Sequence, residues 1–295
     1  MRKASLAATA AVGAAIASFA FAPTSAVAGL TFLDGYSGPI AFNFTSYESF
    51  TGTGPLAPGD QNFGVFTVNS ITAAGSFGPV LPGETIWSPG GSNGQLVGVF
   101  AGITVKSITP VTGGDIIQNT GGQFELFNVP AFPNFTQGTG GYTTGGCSAV
   151  NTLCYNTVTN QAGFTTPILT MDLIPGADTA DPLATLAVTA DGTTIPLTGK
   201  ASGFMDITGG SDAGQFGKGG ITTSTGGPAD MTLEDSFCAN MAGCGAAFGP
   251  IGNWQQQNFG PVGAHVVPEP ASLGLLGTAL VGFGAWIRRR RHQHR

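Results

Sequence analysis

The chain has 295 residues, 42% hydrophobic and only 9% charged, with a formal net charge of −6. That apolar content excludes the highly charged, apolar-poor composition of a disordered chain, and the length suffices for a sizeable core. The three histidines stand at positions 265, 292 and 294, which excludes Ser-His-Asp and Cys-His hydrolases and histidine-ligated metals from nearly the whole chain.

At the front, Arg2 and Lys3 precede an apolar run from Ala4 to Phe21. Ala26-Val27-Ala28 then forms a small-residue A-x-A site. This is the order of a secretory signal peptide, residues 1–28, with cleavage expected between Ala28 and Gly29 after export through the Sec translocon.

The body expected between residues 29 and 264 holds three lysines, Lys106, Lys200 and Lys218, against fifteen acids. Its charge is therefore near −12. Such a surface repels nucleic acid, whose binding depends on Lys and Arg. Near-absence of lysine also removes most phosphate-binding and Schiff-base chemistry. Glycine (48 residues) and proline (19 residues) are abundant, as expected for a β protein with many turns.

The predicted elements are strands. Pro39–Phe44 alternates Ile40, Phe42 and Phe44 with Ala41 and Asn43. Phe63–Ile71 alternates Phe66 and Val68 with Thr67 and Asn69. Gln95–Thr109, Gly122–Val129 and Phe164–Leu173 follow. Ala184–Thr189 and Thr194–Thr198 flank Asp191-Gly192, a tight-hairpin signature, with Pro196 placing the second strand at an edge or a bulge. Ala201–Thr208 ends at Gly209-Gly210, and Met231-Thr232-Leu233 begins a late strand. Pro79–Gly94 and Gly138–Gly146 read as long loops. The fold class expected is all-β, a sandwich or jelly-roll-like body.

Candidate chemistry is sparse. Glu48, Glu84, Glu125, Glu234 and Asp235 are of the right type for carboxylate-pair glycoside chemistry, but no motif supports them, so no catalytic residue is assigned and a non-enzymatic body is expected. Asp172, Asp178 and Asp181 share a Pro-Gly-containing segment and offer oxygen ligands of the kind calcium takes in loops. Turn capping is their ordinary role. No other cofactor is implied. Trp87 and Trp254 could stack on sugar rings, but core packing is the more ordinary role for such residues. The cysteines form two local pairs, Cys147 with Cys154 and Cys238 with Cys244. In an exported chain this points to disulfides that staple Gly-rich loops, while a zinc site lacks the C-x₂₋₄-C spacing.

The C-terminal segment, residues 265–295, is the most specific part of the sequence. Val267-Pro268-Glu269-Pro270-Ala271-Ser272 leads into a 17-residue apolar run, Ala271 to Ile287, ending near Trp286. The run sits at the short end of what spans a bilayer. Arg288, Arg289, Arg290 and Arg291 follow and hold that end in the cytoplasm. Pro268 and Pro270 favour an extended stretch before the membrane.

This order resembles the PEP-CTERM sorting signal of Gram-negative bacteria. The resemblance implies that an exosortase recognises the Pro-Glu-Pro motif and removes the helix, after a transient stay in the inner membrane. The product would reach the cell surface or the extracellular matrix and meet exopolysaccharide there. It implies a surface or matrix protein supporting biofilm or floc cohesion. A carbohydrate-binding module, calcium-assisted or not, is the alternative, and a polysaccharide-modifying enzyme the weaker one. Ala201–Phe237 resembles a body segment of such proteins, which implies a shared β-rich body and no catalytic residue.

Overall fold

A computed structural model describes residues 33, 36–51, 55–75, 81–90, 93–129, 166–192, 197–239 and 256–267. The signal segment, the sorting segment after Val267, Trp254, Cys147, Cys154 and Cys244 lie outside the described residues.

Thirteen strands are described: β1 (Gly38–Phe50), β2 (Gln61–Ala73), β3 (Thr85–Trp87), β4 (Gln95–Val111), β5 (Gly114–Thr120), β6 (Gln123–Val129), β7 (Leu169–Ile174), β8 (Leu186–Asp191), β9 (Leu197–Gly209), β10 (Ile221–Thr222), β11 (Pro228–Ala229), β12 (Met231–Ala239) and β13 (Gln256–Val266). Among the described residues no helix is long and apolar enough to cross a membrane.

The long strands carry the topology. β4 pairs with β2 along one edge and, along the other, with β6 over its first half and β5 over its second. β5 and β6 are thus two halves of one barrel strand, separated by Gly121 and Gly122, both at positive φ. β7 and β8 are likewise two halves beside β9, pairing with β6 and β5 respectively. β9 continues to β12, β12 to β13, and β13 to β1, which pairs with β2. Every pairing is antiparallel and the ladder returns to its start. The result is an eight-stranded up-and-down barrel, not the expected sandwich or jelly roll. Each of the eight barrel strands neighbours its successor in the chain, so among the described residues no crossover divides two sheets. Pairing β13 with β1 removes the remaining edges.

Most expected strands are present, several longer than the alternation suggested. Two turns differ. Asp191 pairs with Thr198, so Asp191-Gly192 begins a longer connection, and Gly192 is not at positive φ. The tight hairpin lies elsewhere. Val111 pairs with Gly114, leaving Thr112-Gly113 as a two-residue turn with Gly113 at φ 91°. β3 interrupts the expected 79–94 loop, and β5 was unmarked. β13 runs two residues beyond the expected body boundary at 264.

Inward positions follow the two-residue period. Phe42, Phe44, Ser46, Glu48 and Phe50 of β1 all face the interior, as do Met231, Leu233, Asp235 and Phe237 of β12. Glycine lets large rings fit. Gly98 stands opposite Phe66, and Gly64 opposite Phe100. A Cβ on Gly64 would come 2.7 Å from the Phe100 ring. The rings therefore lie across the neighbouring strand where no side chain exists.

The barrel end where β1 begins is packed solid. Ile40, Ile71, Trp87, Leu96, Ile168 and Phe216 are buried there in one cluster. Phe42 and Phe216 rings stand 6.2 Å apart. The 210–230 connection is tied to β9 by Asp230, whose carboxylate accepts from the N–H groups of Ile207 and Gly219 and from Lys218 Nζ at 2.9, 2.6 and 2.9 Å.

Candidate functional site

The interior is not filled along its whole length. Beyond the packed end lies a cavity of about 200 Å³. Its wall is mostly apolar, with seven phenylalanines and three methionines set among leucine, isoleucine, valine and alanine. Phe44 and Phe66 meet edge to face at 6.3 Å, Phe66 and Phe124 are 6.1 Å apart, and Phe100 stacks on Phe124 at 5.2 Å. Met171, Met205 and Met231 form part of the remaining wall. Eight-stranded barrels either fill their interior with side chains or hold one small ligand, and this one keeps space.

Toward the other end the wall becomes polar. Glu48 on β1 is 5% exposed and Asp235 on β12 is 8% exposed. Four donors converge on the Glu48 carboxyl. Asn62 and Asn258 donate from their amides, Ser46 Oγ donates at 3.3 Å, and Gln256 Nε2 at 3.5 Å. Gln256 Nε2 also donates to Asn258 Oδ1 at 2.9 Å. Burial pushes the Glu48 carboxyl up to about 7, against the lowering effect of the Asn62 and Ser46 hydrogen bonds. Burial, followed by repulsion from Glu48, pushes Asp235 well above the usual carboxylate range; hydrogen bonds from Asn258 and from the Ser236 and Phe259 backbone oppose the rise. Among the described residues, Asp235 Oδ1 and Asn62 Oδ1 have no hydrogen-bond partner. Among the described residues no lysine, arginine or histidine lines the cavity.

The position of Asp235 has a backbone cause. Its neighbours Leu233 and Ser236 pair with Val262 and Phe259, so Glu234-Asp235 face Gly260-Pro261. Pro261 has no N–H to give, and a Cβ on Gly260 would lie 2.8 Å from the Asp235 Cα. The two backbones close on each other there.

Of the carboxylates named from sequence, the fold brings together Glu48 and Asp235. Glu84 and Glu234 are exposed, and Glu125 is half-buried on β6 outside the cavity lining. Ser46, Asn62, Gln256 and Asn258 were missed. Their signal was phase: Ser46 and Glu48 continue the alternation of Phe42 and Phe44.

The other candidates separate. Trp87 is 1% exposed within the packed end, so its face is unavailable for stacking on a sugar. Asp181 is bonded to Lys106, with the closer oxygen at 2.5 Å, and its other oxygen accepts from the Leu183 N–H. Asp178 accepts from Gln118 Nε2 and the Ala180 N–H. Asp172 accepts from Gln123. Among the described residues no group of three His, Cys, Asp or Glu stands together as a metal site. Cys238 is buried on β12.

The body's last strand leads directly into the Pro-Glu-Pro segment. Gly217 N donates to His265 O at 2.7 Å and Val267 N to Gln215 O at 2.8 Å. Residues 266–291 match the PEP-CTERM protein-sorting motif. No curated protein and no solved structure matches the chain.

Proposed function

We propose that this is an exosortase-sorted protein of the cell surface or extracellular polymer, and that its barrel is a non-enzymatic body retained there, supporting biofilm or floc cohesion. The observation that carries the reading is the sorting motif at residues 266–291, which starts on a residue still paired in the barrel. On this reading the Trp87 end faces the membrane before processing, because β13 leaves the barrel beside Gly38. The Glu48 end then faces outward. Disulfides at Cys147–Cys154 and Cys238–Cys244 staple the flanking loops once the chain is exported. Acidic, lysine-poor composition supports a body that does not hold nucleic acid.

One observation favours an enzymatic reading, the convergence of Glu48 and Asp235. Both carboxyls, however, are only 5% and 8% exposed, and four donors already converge on Glu48. Substituting both should leave any polysaccharide-trimming activity of the producing cells unchanged, and a loss of such activity would restore the enzyme.

Deleting residues 268–295 is the test of sorting. The truncated chain should disappear from the surface and polymer fraction and accumulate between the membranes. Unchanged recovery in the polymer fraction would end the proposal. A glycan array with the full exported chain, run with and without chelator, tests the sugar-binding alternative.

A further inference from the structure

We propose that the barrel interior is a binding site for a small apolar amine, with its hydrocarbon part in the phenylalanine- and methionine-lined cavity and its ammonium head against Glu48 and Asp235. Three observations fix the chemistry. First, the wall is apolar over most of its area, so the occupant is mainly hydrocarbon. At about 200 Å³ the space exceeds the roughly 150 Å³ that accepts a benzene ring. Second, the polar groups left over are acceptors. Asp235 Oδ1 and Asn62 Oδ1 are buried and unpartnered among the described residues; the Asn62 and Asn258 amides donate to Glu48, and Asn258 also to the Asp235 carboxyl. An ammonium offers three donors and no acceptor. A hydroxyl offers one donor and no charge. Third, two carboxyls share this end of the cavity with no basic side chain lining it. A cation supplies a counter-charge that lets the carboxyls ionise. A bare metal ion would leave the hydrocarbon wall unused.

Methionine suits the role. Met171, Met205 and Met231 are unbranched and can repack around ligands of differing shape. They also supply a local readout.

The experiment uses the exported chain purified from the producing cells with its methionine methyls carbon-13 labelled. Benzylamine, benzyl alcohol and toluene are titrated separately at pH 7. Benzylamine should shift the Met171, Met205 and Met231 methyl resonances saturably and bind about tenfold or more tightly than benzyl alcohol, as expected for a charge-assisted hydrogen bond. Calorimetry in buffers of different ionisation enthalpy should show proton release with the amine and none with the alcohol, because the cation draws the carboxyls into their ionised form. A Glu48→Gln, Asp235→Asn double variant should lose the preference for amine while still binding toluene. Equal binding of amine and alcohol by the unsubstituted chain would overturn the proposal. So would displacement of benzylamine by calcium, or the absence of any shift at Met171, Met205 and Met231. The unsubstituted comparison decides the matter if the double variant does not fold.

Discussion

The melting temperature of the barrel should rise as the pH falls from about 7 to the mid-4s. Glu48 sets this expectation. Its carboxyl goes from an ordinary value of 4.5 to about 7 on burial in the folded chain. Below 4.5 both folded and unfolded chains hold this proton. Between 4.5 and 7 the unfolded chain releases it and the folded chain keeps it, so raising the pH favours unfolding. Above 7 both are ionised and the loss is complete. The window corresponds to about 3 kcal/mol for this group alone. Asp235, also raised, acts in the same direction.

Asp230 has the opposite sign. Burial disfavours its charge, but the Gly219 and Ile207 N–H groups and Lys218 hold it below the ordinary value of 3.8. It therefore stabilises above that value and loses its contribution as the pH falls further. Glu48→Gln should flatten the profile between 4.5 and 7 and raise the melting temperature at pH 7 by about 5–10 °C for a body of this size. A profile equally steep in the variant would show that another group controls it.

Gly98→Val should unfold the barrel or cost about 3 kcal/mol or more. A Cβ at this position would overlap the Phe66 ring and lie 2.6 Å from the Glu125 carbonyl oxygen. Phe66 would have to leave its place between Phe44 and Phe124, and the β4–β6 ladder would have to open. Gly214→Ala is the matching control. A Cβ there meets nothing within 4 Å, so the change should stay within about 0.5 kcal/mol. Chemical denaturation of the two variants measures both. Equal stability would mean that the interior is not organised around ring-over-glycine pairs.

The strands were legible wherever apolar and polar residues alternated. Phe42, Phe44, Phe66 and Val68 announced β1 and β2. β13 was not legible. Its centre reads Gly260-Pro261, the residues that ordinarily argue against a central strand, and its inward positions include Gln256 and Asn258. Because β13 closes the ring, missing it turned a barrel into an expected sandwich. The local alternation is the same in both architectures. Asp191-Gly192 marked the β8–β9 reversal correctly but not its tightness: Asp191 pairs with Thr198, and Gly192 is not at positive φ. Glu48 and Asp235 were visible as residue types. What identified them as partners is their phase, inward like Phe44 and Leu233, and that becomes informative only once β13 lies between their strands. Trp87 shows the converse. Sugar stacking was the lesser reading of this tryptophan and core packing the ordinary one; the short strand β3, invisible in a segment read as loop, is what places Trp87 in the packed end.

The central claim concerns delivery, and the intact mass of the protein recovered outside the cell tests it most directly. The account predicts a chain that begins at Gly29 and ends within or just after Pro268-Glu269-Pro270, lacking the apolar run from Leu273 to Ile287 and the arginines beyond it. A recovered chain that still carries Leu273 to Arg295 would contradict it.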